Sequence, residues 1–393
     1  GLNARTDLNN VGGTIDARDS LKIEAGRDIN IRSTARADGI NRYADRIAGL
    51  YVKNPGGALV ASAGRDVNLI GGMISNQGAG GYTSITAKQD INLGTVTAGP
   101  VWVMTGSSAR TSMAMAGSAE IGSTISTNGT TVLKAGRDIN ARQAVVDAGQ
   151  GLLSVHADRD INIEAGEARI AGSYSARWTE KKVFGRTTNN LFSSFDAMTS
   201  VESKFSGGLV SVGAKNDINI VGSSISGKDG VAVVAKGNLT IVEGRNTSSA
   251  SFQLNQQKRG ISALGASMGL VMPSGRATAT GSKVTSDTAA SSSIASSNGG
   301  ILLQGDNGVF LQGVRVDAAK DVAIKGGNVV IQAATNLYTT IGTTANKSAW
   351  YDFGSAAILK DVGKGIKAQE TTSTEVDVST LTRSSDCQAV VSL

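Results

Sequence analysis

The chain has 393 residues, of which 50 are glycine, about twice the usual share, with 3 prolines, 1 cysteine and 1 histidine. Cys387 alone excludes a disulfide scaffold, and Cys387 with His156 is too small an inventory for a zinc site. The 38 basic and 32 acidic residues (net charge +6) are interspersed, so no basic element interleaved with aromatics argues for a nucleic-acid partner.

In chain order, one pattern returns throughout. It reads LKIEAGRDINI (21–31), LVASAGRDVNL (59–69), SITAKQDINL (84–93), VLKAGRDINA (132–141), LSVHADRDINI (153–163), VSVGAKNDINI (210–220), VAVVAKGNLTI (231–241) and ILLQGDNGVFL (301–311). A shorter copy, VAIKGGNVVI, covers 322–331. Asp28, Asp66, Asp90, Asp138, Asp160 and Asp217 share one slot, which Asn238, Gly308 and Asn328 fill later. Close neighbours lie 20 to 24 residues apart (308 to 328, 66 to 90). The gaps of 38 (28 to 66) and 48 (90 to 138) read as two turns each.

Each copy has the same grammar. Apolar residues sit seven and five before the slot (Leu21 and Ile23, Leu153 and Val155), and two more flank the following Asn (Ile161 and Ile163). A further apolar residue lies eight after it: Ile74, Val146, Ile225, Val316. A spacing of two puts both members of a pair on one face of a strand. The Gly/Asp/Lys/Asn links are too short for helices and rich in turn formers. Three short strands per repeat of about 20–24 residues specify an all-β parallel β-solenoid, whose stacked coils bury a continuous apolar column. Asn30, Asn68, Asn92, Asn140, Asn162 and Asn219 point outward and are expected to stack as an amide ladder. The Asp of each slot reads as turn chemistry, accepting backbone N–H groups of the corner. Scarce proline fits a fold in which every coil donates to its neighbour.

The pattern lapses at about 100–130, 172–208, 246–299 and 336–393, where Ser, Thr, Gly and Ala dominate. The expected organisation is therefore a β-helix over 1–171, with the first lapse inside it, and an aromatic and basic excursion over 172–208. Coils follow at 209–245, a Ser/Ala/Gly-rich excursion at 246–299, coils at 300–335 and an irregular tail at 336–393. Extra-helical loops or hairpins on one side of the rod account for the lapses without disturbing its core. Trp178, Phe184, Phe192, Phe195 and Phe205 concentrate in the second lapse beside Lys181 and Lys182. Of these, Trp178, Lys181, Lys182, Phe184, Phe192 and Phe195 form a candidate contact surface for a membrane or a partner protein.

These residues also carry a family resemblance. AGLYVKNPGGALVASAGRDVNLIGGMISNQG, followed by SITAKQDINLGTVT, resembles the haemagglutinin repeats of filamentous-haemagglutinin-like exoproteins of two-partner secretion, over roughly 1–335. SYSARWTEKKVFG (173–185) is similar to segments that interrupt the distal repeats of that family, and SASFQLNQQKRGISALG (249–265) to a weaker copy. The family includes adhesins and contact-dependent growth inhibition toxins. The resemblance implies a right-handed β-helix, export through an outer-membrane partner transporter, and a monomeric rod at the bacterial cell surface that meets host or target cells. No enzyme activity and no cofactor are expected of such a stalk.

Catalytic alternatives are weaker. Gly265-Ala-Ser267-Met-Gly269 matches a nucleophile elbow, but the sole histidine, His156, precedes it and alternates outward. Asp158 and Asp160 have a spacing compatible with a carbohydrate-active β-helix enzyme, a lyase or glycosidase. Their corner position beside Arg159 favours structure.

Overall fold

Leu8–Val11, Ile29–Arg32, Val67–Ile70, Ile91–Gly94, Ile139–Arg142, Ile161–Glu164, Ile218–Val221, Asn238–Val242, Gly308–Gln312 and Val329–Gln332 pair in that order as one ten-stranded parallel sheet. The computed structural model describes residues 1–38, 41–97, 104–107, 110–263, 271–351, 366–383 and 386–389. Equivalent residues sit directly on one another: Val67 pairs Ile29 on one side and Ile91 on the other, and Ile91 pairs Ile139. The intervals 28–66 and 90–138 are therefore one turn each and not two. The extra residues leave the coil. A further coil, beyond those expected from the sequence, precedes the first motif, with Asp7 and Asn9 in the repeat positions and Leu8 on Ile29.

The strands before and after this face join a sixteen-stranded sheet. Its parallel pairs include Leu21 on Leu59, Leu153 on Val210 and Ile74 on Ile125. Between the faces runs one column of inward side chains, with Ile23, Ile31, Leu59, Ile91, Leu133, Ile161, Ile218 and Leu303 at 0% exposure. Alternation explains it, since Ser20–Ala25 and Ile161–Glu164 each bury every second residue. Full burial of one such side chain contributes about 1.5–3 kcal/mol over leaving it in water.

Coils alternate in kind at one corner, that following the ten-stranded sheet. In every second coil the chain turns at once, through a residue with left-handed backbone: Gly12 (φ 63), Gly71 (φ 58), Gln143 (φ 48), Gly222 (φ 56) and Gly313 (φ 61). In the coils between, it leaves as antiparallel strands. These are Thr34–Asp38 with Asn41–Arg46, then Val96–Thr97 and Met104–Ser107 with Thr111–Ile121. Gly166–Lys182 with Gly185–Val201, Gly244–Ala263 with Val271–Ala290, and Ala334–Tyr351 with Ile366–Arg383 follow. All but the first join one nine-stranded sheet. Spacing explains the alternation. Coils stack at ~4.8 Å, so two coils rise by ~9.6 Å, the width of a two-stranded hairpin, and successive hairpins abut as neighbouring strands.

The excursions are thus hairpins, one of the two forms expected of them, and they join into an ordered antiparallel sheet that also takes in most of the expected irregular tail. Its strands carry Ser, Thr and Gly on both faces, which hides them from a search for paired apolar residues. Boundaries shift accordingly. The second excursion runs from Gly166 to Val201 and not from 172 to 208. Phe205 is not part of it: this residue is fully buried in the column, between Val146 and Ile225. The coil strand Thr124–Ala135 begins inside the first lapse, and Ser292–Ser296 of the third is a coil strand as well. At 336–393 lie the strands Ala334–Tyr351 and Ile366–Arg383, then Asp386–Ala389, which returns to pair Val314–Ala318.

Candidate functional site

The motif Ala-Gly-Arg-Asp-Ile-Asn resolves residue by residue into contacts between coils. The glycine permits close approach, because a Cβ at Gly64 would lie 2.1 Å from the Gly26 carbonyl oxygen. The arginine reaches back one coil. Arg65 clamps Asp28, Arg137 clamps Asp90 and Arg159 clamps Asp138, each through Nε at 2.7–2.8 Å and a second bond from Nη2. These three carboxylates and that of Asp160 accept the backbone N–H of the following slot: Asp66 on Asp28 (3.3 Å), Asp138 on Asp90 (3.2 Å), Asp160 on Asp138 (3.2 Å) and Asp217 on Asp160 (3.1 Å). The Asp thus bonds the next coil and not its own turn. Asp66 accepts from the backbone of Asp90, and Asp217 from that of Asn238; the arginine clamp itself ends at Arg159, because Asn216 holds the arginine position of the next coil.

Beside it, the asparagines form a chain of side-chain bonds. Asn30 donates to Asn9, Asn68 to Asn30, Asn92 to Asn68, Asn140 to Asn92, Asn162 to Asn140 and Asn219 to Asn162, each at 2.9–3.0 Å. Every interior amide donates once and accepts once along the row. The series ends where Thr240 follows Asn219.

Arginine clamping sets the acid response. Bonds from Arg27 and from Arg159 hold the carboxyls of Asp7 and Asp138 below their ordinary range. A carboxylate depressed in the folded state adds stability above its unfolded pKa of about 3.9, and that stability is lost as pH falls through the folded value. The thermal midpoint should therefore be flat near neutrality and fall on acidification below about pH 4. Asp138→Asn should lower the midpoint at pH 7 and reduce that acid-dependent fall in a pH series followed by circular dichroism.

Buried serines seal the corners where hairpins depart, a role absent from the motif reading. Ser203 Oγ accepts the Ala144 N–H (2.9 Å) and donates to the Glu164 carbonyl (2.6 Å). Ser33 does the same for Ala48 and Gly71, and Ser292 for Ser223 and Val242. Each replaces a ladder partner that the departing chain removes.

The candidate contact residues do not form one patch. Cross-strand register puts Trp178 and Phe195 on one face of the antiparallel sheet and Lys181 and Phe192 on the other. Val183 and Phe184 form the turn of that hairpin and are 90% and 72% exposed, with Lys181, Lys182 and Arg186 at its base. Exposed aromatic and basic side chains meet at this tip.

The acids weighed for catalysis are engaged elsewhere. Asp158 lies 2.8 Å from Lys215, which lowers its pKa, and 3.4 Å from His156. Asp160 accepts from Asn216 at 2.7 Å. Ser267 lies outside the described residues. Among the described residues no cluster of three His, Cys, Asp or Glu could hold a metal.

Residues 104–179, 184–283 and 274–392 match the haemagglutinin repeat, more than half of the chain. The chain belongs to the haemagglutinin-repeat family. Each match begins within or at the tip of a different hairpin; the first two run through two coils into the next hairpin, and the third also takes in the whole hairpin Ala334–Tyr351 with Ile366–Arg383. Over 218 residues, 55% of this chain, it is 28% identical to a protein of Burkholderia pseudomallei named tRNA nuclease CdiA-2. Over 212 residues, 54% of the chain, it is 27% identical to the 16S rRNA endonuclease CdiA of Enterobacter cloacae. A second Burkholderia pseudomallei protein, named tRNA nuclease CdiA, is 26% identical over 340 residues, 83% of this chain and 25% of that relative. The chain spans 7% and 6% of the length of the first two. No solved structure matches it.

Proposed function

We propose that this haemagglutinin-repeat chain is a stalk segment of a secreted filamentous protein at the bacterial cell surface, acting in adhesion or in contact-dependent delivery of a toxin. The observation that supports this reading is that the family's repeat matches run through coils and hairpins alike along the rod, each starting in or at the tip of a hairpin. The chain itself is not an enzyme. Its relatives carry nuclease names, but the similarity covers a small share of each, and the acids here serve the coil corners. Export runs through an outer-membrane transporter, and a chain with one cysteine crosses unfolded without a disulfide to block it. An epitope inserted between Val183 and Phe184 of the full-length parent tests this. Antibody should label intact cells only when the transporter is present; labelling of lysed but never of intact cells would reject surface display.

The hairpin tip is the working point of the rod. Phe184 and Val183 offer apolar area while Lys181, Lys182 and Arg186 meet anionic headgroups of a target envelope. Lys181→Glu, Lys182→Glu and Phe184→Ser together should lower co-flotation with phosphatidylglycerol vesicles at least tenfold, with an unchanged circular dichroism spectrum. Flotation equal to that of the parent would remove the tip from the interaction.

A further inference from the structure

We propose that the apolar face of the antiparallel sheet is the docking surface for a second copy of this chain, face against face. The proposal concerns this face and stands apart from the hairpin tip.

Residues opposite one another across antiparallel strands share a face. One row reads Met115, Gly172, Phe195, Ala250, Val284, Thr340 across six strands. The next row outward carries Tyr174, Ser193, Phe252 and Ser282 on its middle strands. With the rows through Ile170 and Leu191 on either side, these four rows hold no charged residue across the six strands; acidic positions enter only on the seventh strand, at Glu375 and Asp377, which end two of the rows. The opposite face of the same strands carries Arg169, Arg177, Asp196 and Lys283. The sheet is therefore amphipathic, yet its apolar face is open: Met113, Ile170, Tyr174, Phe195, Phe252 and Val284 are 38–44% exposed. A contiguous apolar area of this kind is unusual on a soluble monomer.

Extent and relief select the occupant. Six strands at ~4.8 Å and four rows at ~6.8 Å span roughly 29 by 27 Å, about 780 Å². That is close to the ~800 Å² per partner of a standard stable interface. Large and small residues alternate along the rows, and the Phe195 ring already lies over Gly172, where a Cβ would come within 2.6 Å of it. Knobs at Phe195, Phe252 and Val284 thus neighbour holes at Ser193, Ala250 and Ser282. An identical sheet related by a twofold axis can fill such holes at ~10 Å sheet separation, whereas fluid lipid tails take no advantage of the relief. Hydroxyls on the face are partly satisfied in its plane, as by the 2.8 Å Ser248–Ser286 bond. The rod gives no reason to associate; the hairpin sheet does.

Analytical ultracentrifugation of the intact chain should show a reversible dimer in the micromolar range. Phe252→Asp should weaken dimerisation at least tenfold, while Phe192→Asp, on the opposite face, should leave it within a factor of two. If Phe252→Asp fails to fold by circular dichroism, Ser282→Arg is read instead, because it charges a hole and removes no apolar contact. A monomer at every concentration overturns the proposal, as does equal weakening by Phe192→Asp. A monomer that binds phosphatidylcholine vesicles, and loses them on Phe252→Asp alone, assigns the face to lipid and also overturns it.

Discussion

Ile161→Asp should abolish cooperative folding of the coils around it, whereas Asn162→Asp, one residue along, should lower stability only modestly. Ile161 is fully buried and stacked between Ile139 and Ile218. An aspartate there has no partner in the column and costs several kcal/mol, at the extreme of single-substitution effects. Asn162 points outward, donating to Asn140 and accepting from Asn219, both at 3.0 Å. Aspartate at 162 still accepts from Asn219 but faces the Asn140 oxygen without a proton. The cost is about 1–2 kcal/mol for a lost, partly hydrated bond. Asn162→Ala should fall in the same range, which separates the amide row from the column as sources of stability. Thermal melts of the three variants check this, and equal midpoints for Ile161→Asp and Asn162→Asp would contradict the strand alternation.

The coil was legible in the sequence because it obeys one local rule. Two apolar residues two apart, a polar link and two more state the strand, its inward face and its corner within eleven residues, as at Leu153–Ile163. The amide row was legible for the same reason, since a period of about 20 brings Asn140 and Asn162 to one height on successive coils. The Asp contacts were half legible. Nothing local distinguishes a carboxylate that caps its own turn from one clamped by Arg159 of the next coil. Hairpins were one of two forms expected of the lapses, but their strands and their joining into one sheet were hidden. A strand such as Gly244–Ala263 has partners on both edges but open faces, so its alternation is between small polar and scattered apolar residues, a weak signal beside Ile-Asn-Ile. Left-handed corners carry a usable signal: Gly71, Gly222 and Gly313 mark the coils without a hairpin, while Ser33 stands where a hairpin departs and Ser203 and Ser292 where one returns.

Removing a single coil should damage the protein more than removing two coils with their hairpin. Val210, Val231 and Ile301 occupy equivalent positions, since Val231 pairs both of the others. Deleting 210–230 therefore joins Leu209 to Val231 in correct coil register. It also brings the hairpin Gly166–Val201 and the strands Gly244–Ala290 onto adjacent coils. Two hairpins, each ~9.6 Å wide, would then have to leave from points ~4.8 Å apart. One must tilt out of the sheet or unpair, and its long edge is left exposed. Deleting 210–300 removes far more chain, yet it joins Leu209 to Ile301 and keeps the alternation. Gly185–Val201 can then pair Ala334–Tyr351 in place of the lost strands, and Leu311 takes the position on Ile163 that Ile220 held. The longer deletion should melt as one cooperative transition near the parent's midpoint. The shorter should melt lower and be cut by protease within 166–201 or 244–290 while its coils resist. If the shorter deletion proves the more stable of the two, hairpin width does not set the two-coil period, and the alternation at Gly71, Gln143 and Gly222 needs a different cause.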